Sequence, residues 1–201
     1  METDILIAGG GLVGLSLALA LSGSGIRVTL VDRQPMGDSA RGPDERHLAL
    51  SEVSCRILDS LGVLPLLGAD AEPIRAIHVS SAGEFGAVRW AASDSGRERF
   101  GMIAPARRLL LALQRAVLAR SDIRVIAPGA IVQAAPGAEH IVATLEGAAE
   151  RGCSARLLVI ADGVDSAVAQ RCWNWRRATR LPAQCHLLRL ESRARPPGNR
   201  L

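Results

Sequence analysis

The stretch DILIAGGGLVG, from Asp4 to Gly14, constrains this chain more than any other. Residues 4–8 form a short apolar run bounded by glycines, which reads as a buried strand. Gly9, Gly11 and Gly14 then fall in G-x-G-x-x-G register, with Gly10 inside the loop, and lead into the Ala/Leu-rich helix predicted over residues 12–21. Ser22-Gly23-Ser24-Gly25 closes that helix, and residues 26–31 supply a second strand, completing a βαβ unit of minimal length. In this register Gly9 permits the tight turn, Gly11 lets the backbone approach a pyrophosphate, and Gly14 lets helix and strand pack closely. The helix N-terminus offers free N–H groups and a partial positive charge to phosphates. Asp32 ends the second strand, where a carboxylate can accept both hydroxyls of an adenosine ribose and disfavours a 2′-phosphate; Arg33 follows it and is placed in the same site. A glycine turn with a solvated Asp32 is the plain alternative. The motif leaves FAD and NAD equally open.

The rest of the sequence suits such a fold. Apolar residues make up 48% and aromatics only 2%, without one Tyr, so the core must be built from Ala, Val, Leu and Ile, as in a parallel sheet covered by helices. The net charge of +4 is uneven: residues 1–168 carry 16 arginines against 19 acidic side chains, residues 169–201 carry 8 against 1. All 24 basic residues are arginine, without aromatic interleaving or a recognisable module, so nucleic acid is not expected as a partner. Cys55, Cys153, Cys172 and Cys185 lie far apart with no metal-ligand spacing, which reads as reduced buried thiols and no metal site. Residues 5–21 are apolar, but Glu2 and Asp4 precede them and Gly9, Gly10, Gly11 and Gly14 interrupt them, against both a signal peptide and a spanning helix. A cytoplasmic chain is expected.

Further along, residues 35–45 read as loop, and Ser51 can N-cap a helix running to Leu61 with Gly62 at its end. Residues 74–80 and 85–90 read as a hairpin, residues 107–120 as an amphipathic helix, and residues 123–126, 140–145 and 156–161 as strands. Asp162-Gly163 follows the last strand, where an acidic turn can face the crevice of an open parallel sheet, or merely cap a helix. His78 alternates with Ile77 and Val79 on a strand and is given a structural role.

Arg46-His47-Leu48-Ala49-Leu50-Ser51, the helix ending Leu61-Gly62-Val63, residues 74–80 and Gly83-Glu84-Phe85-Gly86 together resemble the ubiquinone-biosynthesis hydroxylases. The resemblance is greatest to the 2-octaprenyl-6-methoxyphenol hydroxylase type, among the single-component FAD-dependent aromatic hydroxylases, and runs over residues 4–168. It implies an α/β fold: a Rossmann-like FAD-binding domain with a parallel sheet, in segments 1–72 and 100–168, plus the beginning of a mixed or antiparallel substrate-domain sheet over 73–99. It also implies that Arg46 and Arg107 lie against FAD, although each could be a surface cation beside a helix start. Asp162 and Gly163 would sit near the pyrophosphate and the path of the reduced nicotinamide. No protein acid or base is assigned as catalytic; the chemistry is flavin-borne, with NAD(P)H and O2 as co-substrates and a phenolic, lipid-tailed ring as substrate. Peripheral association with the inner membrane or a ubiquinone-biosynthesis complex belongs to the same implication. An NAD-dependent oxidoreductase and a folded remnant without catalysis are the alternatives.

Family members are about twice this length. Residues 169–201 are therefore expected to be an irregular Arg-rich tail, from a shifted reading frame beginning near residues 170–180 or a truncation, and Ala169 stands where the family often has an arginine.

Overall fold

The computed structural model describes residues 1–37, 44, 46–80, 83, 85–137, 139–149 and 151–173. Most of the arginine-rich segment, and most of the loop expected over 35–45, lie outside the described residues.

The elements in chain order are β1 (Glu2–Ala8), α1 (Leu12–Leu21), β2 (Val28–Val31), β3 (His47–Ser51), α2 (Glu52–Ser60), α3 (Leu64–Leu67), β4 (Glu72–Pro73), β5 (Ala76–Ser80), β6 (Ala87–Ala91), β7 (Gly101–Pro105), α4 (Ala106–Leu118), β8 (Ile123–Ile126), β9 (Ala130–Pro136), β10 (Ile141–Glu146), β11 (Gly152–Ile160) and α5 (Ala167–Trp173). A six-stranded sheet has the order β8-β2-β1-β11-β10-β9. Its first four strands run parallel, with Ala8 opposite both Val31 of β2 and Ile160 of β11. The last two are antiparallel. The fold is thus mixed α/β with a mostly parallel main sheet.

Why β1 and β2 are continuous apolar runs follows from their place. Both sit inside the sheet and are covered on both faces, so neither can alternate. On one face Ile7 and Leu30 pack with Leu15 and Leu19 of α1 and with Leu109, Leu113 and Val117 of α4. On the other, Leu6, Ala8 and Val31 pack with Ile131, Leu145, Leu158 and Val168. Burying a side chain of this size contributes about 1.5–3 kcal/mol. The polar exceptions are bonded: the Thr29 hydroxyl donates to that of Thr3 at 3.1 Å, and the Thr3 hydroxyl donates to the Arg27 carbonyl at 2.8 Å. At the entrance to β2, the Arg27 backbone N–H and guanidinium both donate to Asp4, at 2.9 and 3.1 Å.

A second sheet, β3-β7-β4, is antiparallel and sets His47 opposite Pro105, bringing the residue before β3 to the start of α4. The hairpin β5–β6 forms a separate two-stranded ribbon.

Several sequence expectations hold. The Ser51 hydroxyl caps α2, accepting from the Ser54 N–H at 3.1 Å, and the hairpin pairs as expected, although shifted to Ala76–Ser80 and Ala87–Ala91. Other boundaries move: α4 begins at Ala106 and stops at Leu118. His47–Ser51 was not anticipated as a strand, nor was β9, whose sequence AIVQAAP is rich in Ala, ends in Pro and forms a sheet edge. Helix α5 runs across the boundary expected at residue 168.

Candidate functional site

The carboxyl ends of β1, β2 and β11 meet at a cleft of about 90 Å³, whose lining includes Gly9, Arg33, Gly129, Asp162 and Asp165. Strand β1 is the point where the chain order reverses: its own helix leads to β2 on one side, while β11 returns on the other. Crevices of open parallel sheets form at such a point.

Each glycine of the loop has its own reason. Gly9 has φ +109°, in the left-handed region, and a Cβ there would collide with the Ala161 carbonyl that closes β11. A Cβ on Gly14 would collide with the Gly9 carbonyl, so α1 can lie on the loop only without a side chain at that position. A Cβ on Gly10 would meet Met36 Cε at 2.8 Å and Asp32 Oδ2 at 2.9 Å. Gly11 differs: nothing lies within 4 Å of its Cβ position. Gly11 is the N-cap of helix α1, which has no side-chain cap and no acidic residue in its first turn, so its leading N–H groups lack the intrahelical partners of later turns.

Asp32 is buried, and its carboxylate is engaged by backbone: Oδ2 accepts from the Gly10 N–H, and Oδ1 accepts from the Gln34 N–H at 2.7 Å. The side chain expected to meet a ribose therefore also ties the glycine loop to the end of β2. A carboxylate has about four acceptor positions, so a ribose hydroxyl can still be bonded. The Asp32 carbonyl accepts from the Gly129 N–H at 2.7 Å, which joins the end of β2 to the segment between β8 and β9.

On the opposite wall, Gly163 has φ +98° and turns the chain sharply behind Asp162. Asp162 Oδ2 accepts from the Val168 N–H at 3.3 Å, while Oδ1 is buried with no hydrogen-bond partner. Ser166 is the closer cap of α5, accepting from the Ala169 N–H at 2.9 Å. The two sequence readings of Asp162 are thus divided between its oxygens. One holds the helix; the other is a buried acceptor beside the cleft.

Arg46 and Arg107 form a second group. The Ala106 N–H donates to the Arg46 carbonyl at 2.8 Å, placing Arg46 beside the first turn of α4. The Arg46 guanidinium donates to both Asp44 oxygens, at 2.8 and 2.7 Å, which holds the Asp44 carboxyl below its usual range. Its side chain is 67% exposed, and exposed pairs contribute little to stability, so Asp44 is a weak competitor for a better anion. Arg46 and Arg107 are not among the residues lining the cleft. His78 is exposed on β5, away from any such wall.

The residues present suit an adenine dinucleotide on three counts: an open approach at Gly11, an uncapped helix start behind it, and the orphaned Asp162 acceptor. Residues missed by sequence reasoning are Met36, which sits over Gly10, and Gly129, which carried no motif signal.

Comparison with known proteins resolves FAD from NAD. Among curated proteins, the chain is 32% identical over 169 residues to ubiquinone hydroxylase UbiL of Rhodospirillum rubrum, spanning 83% of this chain and 38% of that protein. It is 30% identical over 166 residues to the uncharacterized protein slr1300 of Synechocystis, spanning 82% of this chain and 40% of that one. A shorter match, 42% identical over 64 residues, is to ubiquinone hydroxylase UbiM of Neisseria meningitidis, covering 31% of this chain and 14% of UbiM. The chain spans about two-fifths of the length of UbiL and of slr1300. Among solved structures, p-nitrophenol 4-monooxygenase PnpA from Pseudomonas putida superposes with a TM-score of 0.70 at 18% identity, covering 85% of this chain and 43% of PnpA. Anhydrotetracycline hydroxylase OxyS from Streptomyces rimosus gives 0.68 at 22%, covering 85% and 33%. These likenesses establish the fold. The profile of the FAD binding domain matches residues 2–179, nearly the whole chain, and the chain belongs to that family.

Proposed function

We propose that this chain is the FAD-holding part of a monooxygenase that hydroxylates an aromatic, polyprenyl-phenol-like ring with NAD(P)H and O2, as in ubiquinone biosynthesis. The observation that carries the reading is the cleft lined by Gly9, Arg33 and Asp162, whose Oδ1 is unpartnered, with Asp32 bonded to the glycine loop beside it, in a chain 32% identical to a ubiquinone hydroxylase. The relatives are longer, so the activity belongs to a protein of their length. A cytoplasmic location and peripheral contact with the inner membrane or with other enzymes of the pathway go with the same proposal. Among the described residues no helix is long and apolar enough to cross a membrane.

The residues divide the work as follows. Gly11 and the first turn of α1 offer backbone N–H groups to the pyrophosphate, while Gly9, Gly10 and Gly14 shape the loop around them, the Gly9 and Gly10 N–H groups being held by Val31 and Asp32. Asp32 takes a ribose hydroxyl, and Arg33 borders the same end. Asp162 Oδ1, an acceptor, requires a hydroxyl donor rather than a phosphate oxygen, because like charges repel. Gly163 keeps that approach free of a side chain. Arg46, beside the first turn of α4, can exchange Asp44 for a cofactor anion, and Arg107, in that turn, adds a second cation there. Bound flavin supplies the redox and oxygen-transfer chemistry; the protein contributes binding, orientation and exclusion of water, and no side chain is assigned a proton transfer.

Titrating the purified chain with FAD tests this. Flavin absorbance retained after gel filtration, and lost or weakened about 10-fold or more in Asp162→Ala, is the expected outcome, since a hydrogen bond to a charged group is worth roughly 1.5–3 kcal/mol. A chain that binds NAD instead points to a nicotinamide-dependent oxidoreductase, and one that binds neither is a folded remnant.

A further inference from the structure

We propose that Gln114, on α4, is a positioning residue for the proposed dinucleotide site, acting through Gly37 and Met36 on Gly10 and on the segment carrying Arg33. The inference rests on the FAD reading above.

The buried stripe of α4 is otherwise apolar: Ala106, Leu109, Ala112, Leu113 and Val117. Gln114 lies among them at 2% exposure. A buried amide is costly unless it is bonded, and Leu or Met would fill this space without that cost. Packing alone therefore does not account for glutamine here. Its Oε1 accepts from the Gly37 N–H at 3.0 Å. Gly37 has φ +107°, so the chain turns sharply at the residue Gln114 holds.

Met36 immediately precedes that turn. It packs against the core face shared by α1 and α4, and its Cε lies 2.8 Å from the Cβ position of Gly10. Gly10 in turn donates its N–H to Asp32, whose other oxygen accepts from Gln34 at 2.7 Å. The segment from Arg33 to Gly37 is thereby clamped at both ends, by Asp32 at one and by Gln114 at the other. Arg33, between the clamps, lines the cleft. Removing the Gln114 acceptor frees the Gly37 end, lets Met36 leave Gly10 and loosens Arg33, with no residue of the cleft itself changed.

The test measures binding of adenosine diphosphate and of FAD to the full chain and three variants, with thermal unfolding recorded for each. Gln114→Met keeps the volume and removes the acceptor; Gln114→Glu keeps an acceptor oxygen. Val117→Ala, buried on the same helix, lowers stability without touching Gly37. The proposal expects Gln114→Met to raise the Kd for adenosine diphosphate about 3–10-fold, the range of a net hydrogen bond. Gln114→Glu should stay within about 2-fold and Val117→Ala unchanged. Wild-type affinity in Gln114→Met, equal weakening in Val117→Ala, or Gln114→Glu as weak as Gln114→Met would each overturn it. If Gln114→Met does not fold, Met36→Ala carries the test: the same weakening supports the relay and unchanged affinity overturns it. A wild-type chain that binds neither ligand overturns the FAD reading and this inference together, whereas a wild type that binds with an indifferent Gln114→Met overturns this inference alone.

Discussion

In the six-stranded sheet Leu6, Ile7 and Leu30 are closed off from solvent, whereas in the β5–β6 hairpin the equally apolar Val79, Val88 and Trp90 are 60%, 68% and 50% exposed. Both regions are regular β-structure. They differ in layers: helices α1 and α4 cover one face of the large sheet, and α5 and the antiparallel strands close the other. The hairpin register pairs Ile77 with Trp90 and Val79 with Val88, so one face is wholly apolar, and among the described residues Trp90 has one aromatic neighbour, Phe100, at 4.8 Å. A two-stranded ribbon without a packed layer is marginally stable. The proposed site draws on the first region: a cofactor can be held rigidly only where its supports are themselves locked.

Substitutions should separate the two regions by size of effect. Leu30→Ala leaves a cavity where collapse is hindered on both sides and should cost about 2–5 kcal/mol in urea unfolding. Gly14→Val drives a side chain into the Gly9 carbonyl; it should abolish FAD retention and destabilise the fold by about 1–3 kcal/mol or more, read by flavin absorbance and the same denaturation curve. The Asp4–Arg27 pair, at the far end of β1, should act more weakly and only in acid. Arg27 lowers the Asp4 pKa to about 2, so its contribution is complete above about pH 4 and fades as pH falls towards 2. Asp4→Asn should flatten that acid limb of stability and leave the curve above pH 5 parallel to wild type. Val88→Thr should do least, changing unfolding free energy by about 0.5 kcal/mol or less while reducing hydrophobic-dye binding and self-association. A loss in Val88→Thr comparable to that in Leu30→Ala would erase the contrast.

Much of the large sheet and its cleft was legible because local signals agree there. The apolar run 4–8, the three spaced glycines and Asp32 all suit a βαβ unit, and the structure brings them together. Asp162 was legible as a turn beside a strand end, but the division of its two oxygens depends on Val168 and could be found only in three dimensions. Strand β3 was hidden because HLALS abuts a strong helix start, and its pairing with β7 is a long-range contact that leaves no local period. Gln114 was invisible for a related reason. One polar residue in an amphipathic helix reads as solvated face, and only the Gly37 N–H reveals its use.

The central claim is that the carboxyl end of the main sheet, and not the hairpin, receives FAD. Hydrogen exchange of the chain with and without FAD tests it directly. Slowed exchange over residues 9–14, 32–37 and 162–168, with residues 76–91 unchanged, is the predicted result; protection confined to the hairpin, or absent from the glycine loop at saturating FAD, would contradict it.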